Sequence, residues 1–121
     1  EDDPVVQDVF SQILRFAGHE VLAVESGEAA LSAWETTPGA FSMVITDVVL
    51  PDTTGTVLAA RIRESRPGVP VAFTSGYAMD DLRTRHGFDE PRLFLKKPFT
   101  SRDILELVER ALGEESGPDG S

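Results

Sequence analysis

The chain has 121 residues, no cysteine and a formal net charge of −10, from 21 acidic and 11 basic residues. That length suits one domain with a core of its own, and the lack of cysteine excludes disulfides and thiolate metal sites. The acidity argues against nucleic-acid binding, which needs clustered Lys and Arg. No apolar run approaches a membrane span and no signal-peptide pattern is visible, so a soluble, cytoplasmic domain without membrane contact is expected.

Asp3 as N-cap, Pro4 at the first helical position and apolar Val5, Val6, Val9, Phe10, Ile13, Leu14 and Ala17 predict a helix that stops at Gly18. Val21 to Val24 is a short apolar run that reads as a strand, and Ser26 opens a second helix through Ala29, Ala30, Ala33 and Trp34. Met43 to Thr46 is a strand ending at Asp47. A turn region with Pro51, Asp52 and Gly55 follows, and then a helix carrying Val57, Leu58 and Ile62 that ends near Pro67 and Gly68. Val69 to Thr74 is another apolar strand, leading through Ser75-Gly76-Tyr77 to a weakly patterned helix from Met79 to His86. Leu93-Phe94-Leu95 forms a last strand broken by Pro98. Thr100 with Asp103 then starts a helix bearing Ile104, Leu105, Val108, Ala111 and Leu112. Residues 113–121 read as a polar tail.

Strands that are continuously apolar, each separated by a helix, are buried on both faces, which implies a parallel sheet with helices on either side. The expected fold is a doubly wound α/β domain, flavodoxin-like, with five strands in the order 2-1-3-4-5. Its first strand, normally about 5–6 residues, does not precede Glu1 in this sequence. An apolar segment upstream of Glu1, pairing in the middle of the sheet, is therefore expected in the natural protein.

Ligands in such sheets bind beyond the carboxyl ends of the strands. Those ends offer Glu1-Asp2-Asp3, Asp47, Ser75-Gly76 and Lys97-Pro98. Carboxylates brought together repel by roughly 1 to 4 kcal/mol per close pair, a cost that a divalent cation removes. Hard oxygen ligands suit Mg²⁺. A carboxylate beside Mg²⁺, a Ser hydroxyl and a Lys ammonium can attack phosphorus, because metal and ammonium offset charge on the equatorial oxygens; the product is an aspartyl phosphate. Singly the residues have plainer readings: Glu1 to Asp3 as a charged helix start, Asp47 as a turn residue, Lys97 as a solvated charge, Phe94 and Trp34 as packing, and His19 and His86 as helix-end partners.

Glu-Asp-Asp-Pro at 1 to 4, Val-Ile-Thr-Asp-Val-Val-Leu-Pro at 44 to 51 with Gly55, Pro-Val-Ala-Phe-Thr-Ser-Gly-Tyr at 70 to 77 and Phe-Leu-Lys-Lys-Pro-Phe at 94 to 99 together resemble the receiver domains of two-component response regulators and hybrid histidine kinases, the loop and Lys-Pro-Phe-Thr ending being most like the latter. The likeness runs over residues 1–112. It implies that Asp47 is the phosphoacceptor, that Asp2 and Asp47 ligate Mg²⁺ with the Val49 carbonyl, and that Glu1 acts through metal-bound water. It further implies that Ser75 bonds a phosphoryl oxygen, with Thr74 and Lys96 one position out of register, and that Lys97 is the site ammonium. Pro98 follows through a cis peptide, Phe94 falls at the switch aromatic, and Gly76 leaves the site open to a donor. The implied partner is a histidine kinase or histidine phosphotransfer domain, and a dimer stays open. The domain would phosphorylate itself rather than turn over a substrate. Two rivals compete. A haloacid-dehalogenase-like phosphatase needs a second Asp two positions after the nucleophile, where this chain has Val49. A flavodoxin-type flavin module needs a phosphate loop where this chain has Glu1-Asp2-Asp3.

Overall fold

The computed structural model describes residues 3–37, 39–77, 79–86 and 93–116. Helix α1 (Pro4–Phe16) starts as its cap predicts: the Asp3 carboxylate accepts the amides of Val5 and Val6 at 2.9 and 3.3 Å, next to Pro4. Gly18, with φ +99°, takes the chain out of the helix in a conformation that costs a side-chain-bearing residue energy.

The next segment departs from expectation. Among the described residues, 21–24 pair with no strand. The first and last of their carbonyls are instead bound by α1, Arg15 donating to Val21 at 3.0 Å and Gln7 to Val24 at 2.7 Å. Backbone acceptors must be satisfied somewhere, and here side chains from the preceding helix do what a ladder would have done. Between this segment and the first described strand lies a cavity of about 530 Å³, walled on one side by Val21 to Val24 and on the other by Val44 to Asp47. Paired strands sit only about 4.8 Å apart, so two segments separated by such a space cannot bond each other.

Helix α2 (Gly27–Thr36) is capped by Ser26, whose Oγ accepts the Ala29 amide at 3.1 Å. Strands β1 (Val44–Asp47), β2 (Val71–Ser75) and β3 (Phe94–Lys96) alternate with α3 (Gly55–Ser65) and α4 (Met79–His86) and are all parallel, in the order β1-β2-β3. Helix α5 (Ser101–Ser116) opens with a reciprocal cap: Thr100 N–H donates to Asp103 Oδ2 at 2.9 Å, and Asp103 N–H to Thr100 Oγ1 at 3.1 Å. It continues through Ser116, into the stretch expected as a polar tail.

Helices cover both faces of the sheet, as the unbroken apolar strands require. On one face Val44, Val71, Phe73 and Phe94 pack with Trp34 of α2, Leu58 and Ile62 of α3 and Leu82 of α4. On the other, Ile45, Ala72 and Leu95 meet Leu107 and Ala111 of α5, and Leu14 of α1 joins through Ile104 and Val108. Full burial of each large aliphatic side chain stabilises the fold by roughly 1.5–3 kcal/mol. Trp34 packs as expected of it, and its one polar atom is satisfied: Nε1 donates to Ser65 Oγ at 2.7 Å, while the ring stacks on Phe41 with centroids 6.2 Å apart.

Candidate functional site

Successive residues of a strand point to opposite faces of the sheet, and in this parallel register Asp47 lies opposite Thr74, Thr74 opposite Leu95 and Ser75 opposite Lys96. Asp47, Thr74 and the residue two beyond Leu95, which is Lys97, therefore share the face packed by α1 and α5. Their side chains converge. Asp47 is 6 % exposed, its Oδ1 lies 3.0 Å from Lys97 Nζ, and Thr74 Oγ1 donates to the same Oδ1 at 2.5 Å. Among the described residues no donor reaches Oδ2.

The backbone at this corner is equally constrained. Val48 N–H donates to Thr74 O at 2.9 Å and Lys97 N–H to Ser75 O at 2.7 Å, so the ladder continues one residue past β1 and past β3 and fixes the backbone beside these side chains. Gly55 N–H donates to Val48 O at 2.7 Å. The start of α3 thus presses on the Asp47 peptide, and a Cβ on Gly55 would sit 2.2 Å from Asp47 O.

The other expected site residues fall as follows. Ser75 is buried, but its Oγ accepts the Tyr77 amide at 2.9 Å, which fixes the loop after β2, and strand alternation puts it on the face opposite Asp47. Gly76 is exposed and a side chain there would meet open space. Phe94 is half-buried opposite Phe73, on the α2–α4 face. The Lys97–Pro98 peptide is cis. Glu1 and Asp2 lie outside the described residues. Thr74, which the resemblance sets one position out of register, is the hydroxyl that reaches Asp47, because strand alternation puts it on the same face.

The loop after β1 is tied to α2 through Asp52. Its Oδ1 accepts the Gly27 amide and its Oδ2 the Glu28 amide, both at 2.9 Å. The Gly27 amide first, then that of Glu28, hold the Asp52 carboxyl below its ordinary value of 3.8, outweighing a small opposing effect of burial. A carboxyl depressed on folding stabilises the native state fully above its unfolded pKa, and that stabilisation disappears as pH falls through the lower folded value. Asp52→Ala should accordingly melt below wild type at neutral pH, with the gap closing as the pH is taken below 3.8. A gap that stays constant down to acid unfolding, read by circular dichroism, would contradict the carboxylate's role.

As a cation site the described part offers hard oxygens. The Asp47 carboxylate is one source, and the turn bonds of Val48 O with Gly55 and of Leu50 N–H with Thr53 leave the Val49 carbonyl without a donor among the described residues. No cluster of three acidic or His side chains occurs among those residues. The oxygens present fit Mg²⁺, which takes one or two carboxylates and keeps other positions for water and phosphate.

A parallel, doubly wound α/β domain with a buried carboxylate, a lysine and hydroxyls at the carboxyl ends of its strands has these groups where domains of that class bind their ligands. Residues 1–109 match the response regulator receiver domain, and the chain belongs to that family, the signal-receiving part of two-component systems. It is 39 % identical to the response regulator protein FleR of Pseudomonas aeruginosa over 98 % of this chain and 26 % of FleR. It is 31 % identical to the sensor kinase CckA of Brucella abortus over 93 % of this chain and 12 % of CckA. The fold is similar to the crystal structure of a CheY-like response regulator receiver domain protein from Methanospirillum hungatei, with TM-score 0.79 and 30 % identity over 96 % of this chain and 91 % of that one. The chain thus spans only a minor part of FleR and of CckA. The family match leaves the dehalogenase and flavin readings without support.

Proposed function

We propose that Asp47 is the phosphoacceptor and that the chain takes a phosphoryl group from a phosphohistidine on a histidine kinase or phosphotransfer domain. The observation that carries this reading is the ammonium of Lys97 3.0 Å from the carboxylate of a residue 6 % exposed to solvent. A carboxylate oxygen forms the new bond to phosphorus, the phosphorus–nitrogen bond of the donor breaks, and its electron pair stays on the imidazole. Lys97, already at Asp47, needs only to swing toward the incoming oxygens to offset the charge they gain. Ser75, which strand alternation turns to the opposite face, would bond one of those oxygens only on a shift of the loop after β2 that releases its contact with the Tyr77 amide. Gly76 leaves the approach clear for a partner's side chain.

Glu1, Asp2, Asp47 and the Val49 carbonyl would hold Mg²⁺, which when bound neutralises phosphoryl charge. Acetyl phosphate replaces the partner in a simple test. With Mg²⁺ present, intact-mass spectrometry should show one added phosphoryl group. Chelation before the donor is added should lower adduct formation by at least about tenfold, the loss of one major transition-state charge interaction. Equal labelling with and without chelator would refute the metal-dependent reading.

A further inference from the structure

The positions expected to surround Asp47 did not include Thr74, yet its hydroxyl is in direct contact with the carboxylate. Thr74 is 4 % exposed, and its Oγ1 donates to Oδ1, the same oxygen that Lys97 holds at 3.0 Å. The arrangement follows from the sheet. Thr74 lies directly opposite Asp47 in a parallel register, so the two side chains leave adjacent strands on the same face. Ser75, the next residue, is turned to the other face, and its Oγ accepts from the Tyr77 amide.

Two donors on one carboxylate oxygen have a chemical consequence. A carboxylate at a strand end can rotate about its terminal torsion, a broad and soft degree of freedom. With Thr74 and Lys97 both on Oδ1, that rotation is restricted and the lone pairs of Oδ2 stay available, since no described residue donates to it. Lys97 alone would not hold this geometry, because an ammonium on a four-carbon stem is a mobile point charge. The Thr74 hydroxyl sits on a short side chain with a stiff first torsion, set in a strand bonded to both of its neighbours.

We propose that Thr74 is a positioning residue for phosphorylation: its hydroxyl, together with Lys97, occupies Oδ1 of Asp47 and presents Oδ2 as the oxygen that forms the bond to phosphorus. This inference rests on the reading of Asp47 as phosphoacceptor. With acetyl phosphate the Oδ2–phosphorus bond forms as the bond from phosphorus to the acetate oxygen breaks, and acetate leaves with the electron pair. Oδ1 becomes the carbonyl oxygen of the acyl phosphate, which still accepts from Thr74. The hydroxyl therefore keeps its partner through the reaction, and its contribution lies in orienting the nucleophile.

The test compares wild type, Thr74→Val, Thr74→Ser and Asp47→Asn, with acetyl phosphate as donor at saturating Mg²⁺, and the rate constant of adduct formation as the readout. Thr74→Val removes the hydroxyl with little change of shape. It should slow phosphorylation roughly tenfold, the scale of a lost hydrogen bond to a charged group, while Thr74→Ser should return to within about twofold of wild type because it keeps the donor. A packing role would give a different pattern, with the β-branched valine active and serine, which lacks the methyl, impaired. That pattern, or a valine variant as fast as wild type, overturns the inference. Should Thr74→Val not fold, Thr74→Ala takes its place with the same expected loss. Wild type that gains no phosphoryl group, or an Asp47→Asn protein that gains one equally, would refute the phosphoacceptor reading itself, an outcome distinct from an active wild type with an indifferent Thr74.

Discussion

Asp47→Asn should gain no phosphoryl mass from acetyl phosphate and Mg²⁺ under conditions in which wild type is fully labelled. The amide keeps the size of the carboxylate and its oxygen can still accept from Thr74 and Lys97, so the corner where β1, β2 and β3 end is expected to stay assembled. What disappears is the nucleophile, because an amide nitrogen has no free pair to give to phosphorus. The charge balance changes too. Lys97, whose side chain is a quarter exposed, then faces a neutral amide in place of the carboxylate. Mass spectrometry of the intact protein and of the peptide containing residue 47 reads the outcome. Labelling of wild type at another residue, or equal labelling of the variant, would show that the phosphoacceptor lies elsewhere.

Gly55→Ala should be the most damaging alanine substitution among the described glycines. Alanine would ordinarily help here, since glycine in a helix is less stable than alanine by roughly 0.5–1 kcal/mol. The position forbids it: the added carbon would lie 2.2 Å from Asp47 O and 3.1 Å from the carbon of the same peptide. These are backbone atoms of a strand end, and they cannot rotate away as a flexible side chain could. Either α3 lifts or the Asp47 peptide shifts, and overpacking of this kind costs typically about 1–3 kcal/mol. The clash outweighs the helix gain. A clear fall in melting temperature is expected together with slower phosphorylation, because displacement of the Asp47 backbone misaligns the carboxylate with Lys97 and Thr74. A variant that melts with wild type, or that loses stability yet phosphorylates at the full rate, would mean that α3 can retreat without disturbing the site.

Much of this arrangement could be read from the residues alone. Asp3-Pro4, Ser26 and Thr100 with Asp103 announce their helix starts because capping is local chemistry, settled by a side chain and an amide two or three residues away. Val69 to Thr74 announces a doubly covered strand by its unbroken apolar run, and Asp47 stands out as a charge at the end of another. Val21 to Val24 shows where local reading stops. Its composition fits a strand, but a strand needs a neighbour within ladder distance, and here Arg15 and Gln7 bind its first and last carbonyls instead. The faces taken by Thr74 and Ser75 were illegible for a different reason. Adjacent hydroxyls differ only in which face of the sheet they take, and strands apolar on both faces carry no alternation from which to infer it. The Asp52 bonds to the start of α2 join residues 25 and 24 positions apart, and no pattern in the chain points to them.

The alternation that gathers Asp47, Thr74 and Lys97 on one face also bears on how such a domain can change over generations. A substitution inside β2 or β3 alters packing but leaves the face of every later residue as it was. Loss or gain of one residue within either strand, with its starting register kept, would turn all that follows to the opposite face. In β2 a deletion would carry Ser75 into the place of Thr74, one hydroxyl for another. In the third strand the same event would bring Pro98, which has neither charge nor amide hydrogen, to the place of Lys97. Reading-frame-preserving deletions are therefore far less equivalent than they look on paper: the second strand holds a spare hydroxyl in reserve, whereas the third has Lys96 in reserve only against an insertion.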